Sequence, residues 1–541
     1  MGAAAAQGEA AVFVFAFAFA AAFVVDAGAI DADFAGAAGQ VVAAGGRFAG
    51  EALAGLGDQR VEVGRVAAVA AAGLELAQAS AERRHADGAA GRAIGAALAV
   101  VAGDGADAGI GLRHAETRAA AAALARVGAA LADVAAGAVD TRPWLQRGAW
   151  PVGWFPLRRD AHMREVAAGA GQPYPYVRVE GDGVHEIAVG PIHAGTIEPG
   201  HFRFSVVGEK VLRLEERLGY AHRGVEKRFE QIGLARGHAL AARVSGDSAV
   251  AFAWAYCMAC ESAFGCVIPE RAAWLRALLL ERERVANHLG DLGGIANDAG
   301  LAFGLAQFSP LREDWQRLNA DCFGHRLLMD TLVPGGVAVD ATAQALSRLL
   351  AQADAIERSV RSLQAILDEH AGLQDRLLGT GRIAPELAAR LGLVGLAGRA
   401  SGQALDLRVR HPASPYDRLG VAIAGAQEGD VAARVSVRFQ EVYESLRLIR
   451  ALARGLPAGP IGVALPAVAQ RAGGIGWVEG WRGEVLVALE PGPHSTILRC
   501  HCHDPSWQNW PLVEHAAVGN IVADFPLINK SFNLAYAGHD L

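Results

Sequence analysis

Three of the chain's six cysteines fall within YCMACESAFGC (256–266), and two of them, Cys257 and Cys260, form a C-x-x-C pair. Thiolates at that spacing could bind a metal or cycle between dithiol and disulfide. On a helix, positions i and i+3 share a face, so Cys257 and Cys260 could supply half of a site. A closed zinc centre takes four ligands, and the other Cys/His concentration is RCHCHD (499–504). An alternating strand would turn Cys500 and Cys502 to one face and His501 and His503 to the other. The competing reading makes Cys257, Cys260 and Cys266 small buried apolar residues and 499–504 an ordinary strand.

The rest of the chain must position these groups. With 541 residues and a formal charge of −7, it is long enough for two or three domains and carries no nucleic-acid footprint. Six scattered cysteines do not make a secreted disulfide framework and point to a reducing cytoplasm. The run AVFVFAFAFAAAFVV (11–25) is apolar but shorter than a membrane span and preceded by Glu9. Its alternation reads as a buried strand, with a membrane or signal segment as the alternative. Residues 1–140 are dominated by Ala and Gly, which offer little side-chain volume for a core. They read as a loosely packed α+β domain, a low-complexity region, or an out-of-frame start.

Aromatics and prolines return in DTRPWLQRGAWPVGWFPLRRD (140–160), an irregular linker running to about residue 180. YVRVE (176–180) and HEIAVG (185–190) read as strands, and HFRFSVVGEKVLRLEER (201–217) as a hairpin turning at Gly-Glu. Helical spacing then dominates in 225–233, 248–265, 270–293 and 430–455, with Pro269 placed at a helix start. GEVLVALEPG and STILRCHCHDP are strand-like and lead into a helical tail.

GPIHAGTIEPGHFRF (190–204) with GYAHRGVEKRFE (219–230) resembles the family of [NiFe]-hydrogenase large subunits and the 49-kDa subunit of respiratory complex I. The segments 267–293, RASGQALDLR (399–408) and DPSWQNWPLVEHAAVGNIVADFPL (504–527) extend the resemblance over 180–541, closest to the membrane-bound, energy-converting branch. It implies an α+β fold: a mainly helical core of the hydrogenase large subunit/49-kDa type, preceded by a β-hairpin region. The Ala/Gly-rich stretch 1–140 would be a degenerate 30-kDa-subunit-like domain, 141–180 a linker, and 181–541 the family domain.

A nickel–iron centre needs soft thiolates from two C-x-x-C motifs. The family's first motif falls on RVSGDSAVAFA (243–253), where Ser245 and Ser248 stand at the cysteine positions and Phe252 at that of a nearby His. The second falls on NLAYAGHDL (533–541), with Ala535 and Gly538 in place of the thiols and no Cys after Cys502. The expectation is no nickel–iron site and no cofactor held by this chain. For a quinone headgroup, Ile197 and Gly246 stand where the family's His and Tyr would be, which leaves a quinone room only in another pose.

The resemblance gives other residues their roles. Glu198 matches the hydrogenase glutamate that passes protons, and Asp247, inside SGDS, faces the emptied pocket; both become candidate proton carriers. His193 is shared by both branches. His222 and Arg223 would face a [4Fe–4S] cluster on a small partner subunit, Arg223 supplying fixed positive charge unless it merely pairs with Glu226. His288 and Asp298 match family positions, while Ile295 replaces a histidine that couples cluster reduction to protonation. The implied protein is the large subunit of a complex I-like oxidoreductase, coupling electron transfer to ion translocation. It would sit on the inner face of the cell membrane through antiporter-like subunits. A quinone-reducing subunit and a purely structural one are the alternatives. No dinucleotide fingerprint follows a convincing strand.

Overall fold

The computed structural model describes residues 176–193, 197–467, 469 and 473–541. The apolar run 11–25 and the Ala/Gly-rich stretch 1–140 lie outside the described residues, as does the linker as far as residue 175.

The first sheet is an antiparallel meander of β1 (Val184–Val189), β2 (His201–Val207) and β3 (Lys210–Arg217). The β2–β3 turn is Gly208-Glu209, as the sequence predicts, and Gly208 has φ 58°. Phe202 and Phe204 on β2 both pack on Phe525, with ring centroids 5.0 and 4.9 Å away. The predicted strand 176–180 is not one. The Val177 N–H donates to Glu215 Oε2 (3.0 Å) and Tyr176 lies 3.9 Å beneath the Arg203 guanidinium, so side chains take the place of a ladder.

Six helices carry the core: α1 (Val225–Gln231), α2 (Leu234–Ala241), α3 (Ala249–Phe264), α4 (Glu270–Asp298), α5 (Ala302–Phe323) and α6 (Ala343–Glu369). α3 is alanine-rich and buried on nearly every face, which a helix tolerates only when enclosed. It ends at Gly265, left-handed at φ 64°. Pro269 caps α4 as expected, but the helix runs on to Asp298, because nothing stops it before Gly300 turns at φ 90°. Thr342 caps α6 by accepting the Ala345 N–H (3.1 Å).

After several short helices, α7 (Val431–Gly455) starts where Asp430 accepts the Ala433 N–H (2.8 Å). It packs against α4 and α6. A second antiparallel sheet follows, β4 (Gly474–Glu479), β5 (Glu484–Pro491) and β6 (Ile497–His503). The chain closes with α8 (Ser506–Ala517), α9 (Phe525–Phe532) and α10 (Tyr536–Asp540). β4 lies directly on α3, because Gly474 and Gly476 present no Cβ to the carbonyls of Ala259 and Ala255.

The sequence's thiols end inside this packing. Cys257 and Cys260 on α3 and Cys500 and Cys502 on β6 are all buried, and Cys266 is half-buried. Burial raises the Cys260 thiol to about 12 and the Cys257 thiol well above its ordinary value. They stay protonated, and no set of three or more His, Cys, Asp or Glu among the described residues is arranged to hold a metal. Cys257 and Cys260 are enclosed as small apolar side chains are. His501 and His503 occupy the other face of β6. His501 Nδ1 meets Glu226 Oε1 at 2.5 Å, and buried His503, its pKa lowered to about 3 chiefly by burial, meets Gln508 Oε1 at 3.0 Å.

Candidate functional site

The SGDS segment is a tight turn, Ser248 N–H to Ser245 O (3.0 Å), that leads straight into α3. Both serine hydroxyls turn toward the residue between them. Ser245 Oγ donates to Asp247 Oδ1 at 2.7 Å and Ser248 Oγ at 3.2 Å. Opposite stands Arg482, whose Nη2 and Nη1 reach Asp247 Oδ2 and Oδ1 at 2.6 and 3.2 Å. Arg482 sits in the β4–β5 turn, closed by Gly480 N–H to Gly483 O (2.8 Å); Trp481 beside it donates to the Asp247 carbonyl (2.9 Å). Burial works to raise the Asp247 pKa, but the guanidinium and the two hydroxyls outweigh it and hold the carboxyl below its usual range.

The 533–538 segment meets the same guanidinium. Arg482 Nε donates to the Asn533 carbonyl at 2.6 Å. Ala535 N–H donates to Ser506 Oγ (2.9 Å), and Ala535 and Gly538 face each other. A Cβ at Gly538 would collide with the Asp504 carboxylate. Asp504 is fully buried; its Oδ1 accepts the Ser506 N–H (2.8 Å), its Oδ2 has no hydrogen-bond partner, and burial raises its pKa.

Glu198 and Arg223 complete the cluster. Glu198 Oε2 accepts the Ala537 N–H at 2.9 Å, and burial, partly offset by that bond and by Arg223, raises its pKa. Arg223 donates to the carbonyls of Val244 (2.6 Å), Arg243 (3.2 Å) and Ala537 (3.4 Å). It therefore ties residues 243–244 to residue 537 and does not pair with Glu226, which takes His501 instead. His222, exposed, meets the Asp540 carbonyl at 2.8 Å through Nδ1. His193 stands further back, its Nε2 2.9 Å from the Gly200 carbonyl and its ring 6.2 Å from that of Phe202.

Behind the turn, Glu283 on α4 accepts the Val250 and Ala251 N–H groups (2.6 and 3.2 Å), and burial lifts its pKa to about 8. Asn287 joins it to the site, donating to the carbonyls of Glu283 and Asp247. Asp298, raised to about 7 by burial, lies near Lys530, and His288 meets Glu441 Oε2 at 2.8 Å. The sequence reading missed Arg482, Asp504 and Glu283. A lone arginine between glycines in GWRG was the one visible signal.

The arrangement can hold and move protons: three carboxyls with raised pKa, Glu198, Glu283 and Asp504, surround an ion pair. Replacing Asp247 by Asn keeps its shape and removes the counter-charge of Arg482. Because Asp247 is one-third exposed (33 %), the expected loss is about 1–2 kcal/mol, read as a lower denaturant midpoint.

Residues 298–474 match the model of the respiratory-chain NADH dehydrogenase 49 Kd subunit family. Formate hydrogenlyase subunit 5 of Escherichia coli is 32% identical over 409 residues, 75% of this chain and 72% of that protein. The carbon monoxide-induced hydrogenase of Rhodospirillum rubrum is 31% identical over 64% of this chain and 97% of its own length. Among solved structures, a chain of the membrane-bound sulfane sulfur reductase, an archaeal respiratory membrane complex, superposes with TM-score 0.62 at 27% identity, covering 66% of this chain and 98% of that one. The fold agrees with these likenesses, and the chain belongs to the family that joins the complex I 49-kDa subunit to the large subunits of membrane-bound hydrogenases.

Proposed function

We propose that this chain is the large subunit of a membrane-bound, complex I-like oxidoreductase that works without a nickel–iron centre of its own. The observation that carries this reading is the occupation of the old ligand pocket. Ser245 and Ser248 turn their hydroxyls to Asp247, Arg482 binds that carboxylate, and Asp504 fills the space beside Gly538. Hard, neutral hydroxyls do not replace bridging thiolates. A nickel–iron group therefore does not fit these residues, and no step is routed through one.

What remains is machinery for charge. Arg223 and its neighbour His222 are both exposed, and a partner subunit bearing a [4Fe–4S] cluster would dock beside them. An electron arriving there would favour proton uptake by Glu198, which already holds its proton more tightly than an ordinary carboxyl. A changed charge at Glu198 acts on Ala537 and Arg223, and through Val244 on the SGDS turn. That contact is the proposed start of coupling toward antiporter-like membrane subunits. No helix among the described residues is long and apolar enough to cross a membrane, so attachment to the inner face of the membrane would come through those partners.

Metal analysis of the purified complex, joined to hydrogen and quinone assays, tests this. Iron and acid-labile sulfide without stoichiometric nickel, and no hydrogen turnover, are expected. Stoichiometric nickel would overturn the reading. Quinone-dependent turnover without nickel would leave the family role intact and make a quinone the acceptor.

A further inference from the structure

Lys530 of α9 reaches a face of α4 that carries two carboxylates. Its stem crosses α4 at Gly294, where a Cβ would stand 2.6 Å from Lys530 Cε, so the missing side chain is what leaves room for the lysine. The ammonium lies 3.6 Å from Asp291 Oδ1. Asp298 follows two turns later, and positions 291, 294 and 298 share one face of the helix. The two carboxylates are held differently. Asp291 is buried and well supplied: Asn533 Nδ2 donates to its Oδ1 (2.7 Å), and Arg438 of α7 donates to its Oδ2 through Nε and Nη2 (3.0 and 2.8 Å). Asp298 is half-buried, and its enclosed Oδ2 has no hydrogen-bond partner. The ammonium therefore stands just beyond hydrogen-bond distance of the supplied carboxylate, while the other has an oxygen to spare.

We propose that Lys530 is a coupling residue whose ammonium turns to Asp298 when that carboxyl is ionised and to Asp291 when it is neutral, so that charge at the end of α4 is felt at the Asp247–Arg482 pair. The inner connection is continuous. Asp291 Oδ1 holds the Asn533 amide, the Asn533 carbonyl accepts Arg482 Nε (2.6 Å), and Arg482 Nη2 binds Asp247 Oδ2 (2.6 Å). An ammonium drawn onto Asp291 Oδ1 competes with Asn533 for that oxygen, and Asn533 in turn positions Arg482. At the outer end, Asp298 faces Lys530 from α9 and Asn297 beside it on α4. Of the other helices packed here, α7 brings Arg438 to Asp291. α5 sets Leu305 and Phe308 against Gly293, and Arg312 against Gly290. Burial pushes the Asp298 pKa up to about 7 against Lys530 and Asn297, so its charge changes near neutrality.

What this movement drives rests on the charge-coupling reading above; that Lys530 senses Asp298 and acts on Asn533 does not. Two measurements on the purified complex, neither needing turnover, test it. Infrared difference spectra between pH 6 and pH 8 should contain a protonated-carboxyl band that D298N lacks. K530M should keep that band with its midpoint raised by about one pH unit, because a nearby positive charge is gone. Hydrogen exchange read by mass spectrometry, corrected for the intrinsic effect of pH, gives the second readout. A peptide covering 527–534 leaves out the Ala537 amide that Glu198 holds. Its exchange should differ between pH 6 and pH 8 in the wild type, and the difference should vanish in both D298N and K530M. A band midpoint unmoved in K530M, no difference in the wild type, or a difference retained in either variant would overturn the proposal. If K530M does not assemble, the exchange of D298N decides. Stoichiometric nickel would sink the reading of the pocket and leave both of these results standing.

Discussion

Replacing Glu441 by alanine is expected to cost about 3–5 kcal/mol, a large share of the stability of any domain. Glu441 is buried on α7 and takes Arg399, Arg284 and His288 on its two oxygens. Without it, each of two buried guanidiniums loses a counter-charge, Arg399 keeping Glu479 (2.7 Å) and Asp406 (3.7 Å) and Arg284 keeping Glu281 (3.4 Å), and neither can shed its proton. Glu441→Gln should recover only part of the loss, since it restores an acceptor and not the charge. The pH profile has a defined sign. Burial raises the Glu441 pKa, but Arg399 and His288 outweigh it and leave it well below 4.5. Its contribution is therefore present above the unfolded value and lost only as pH falls through that lowered one. Urea midpoints of the purified assembly, with the slope held constant, measure the effect. A loss under about 1 kcal/mol would mean the cluster is not electrostatically closed.

Gly476→Ala should be nearly as damaging for a reason without charge. A methyl group there would press into the Ala255 carbonyl and stand 2.8 Å from the Ala259 nitrogen, both backbone atoms of α3. Backbone cannot swing aside as a side chain does, so β4 must lift from the helix, at a cost of about 3 kcal/mol. The turn carrying Arg482 would lift with it, and turnover should fall alongside the thermal midpoint. Gly246→Ala is the control: its Cβ would meet nothing within 4 Å, and a change below about 0.5 kcal/mol is expected. Equal melting of the two variants would refute the close-packing account.

Helices with a strong apolar repeat were readable from composition and spacing, as in α3 and α7, whose predicted limits differ from the observed ones by a residue or so. β4 was not, because Gly474 and Gly476 serve a close backbone approach and contribute nothing to strand propensity. The extended end of α4 was missed for a related reason: its glycines look like breakers, yet Gly293 and Gly294 admit α5 and Lys530. All four side chains of the ERER run (281–284) are buried, although such residues are rarely enclosed unless paired. Their partners lie far along the chain, Glu441 being 157 residues from Arg284, and no local pattern announces such pairs. In the site, the pairing of 245–248 with 535–538 came from the family resemblance. Arg482 and Asp504, which define what the pocket now contains, are isolated residues in a turn and before a proline.

Residues 219–225 owe their shape to the far end of the fold. Ala221 N–H and His222 Nδ1 are satisfied by Asp540, 319 and 318 residues later, and Arg223 N–H by the Leu541 carbonyl (2.8 Å). During synthesis, which proceeds from the amino end, this loop must wait unfinished until α10 emerges and docks. A chain cut before residue 540 would leave the Ala221 N–H, His222 Nδ1 and the Arg223 N–H without these partners, and the turn into α1 unformed.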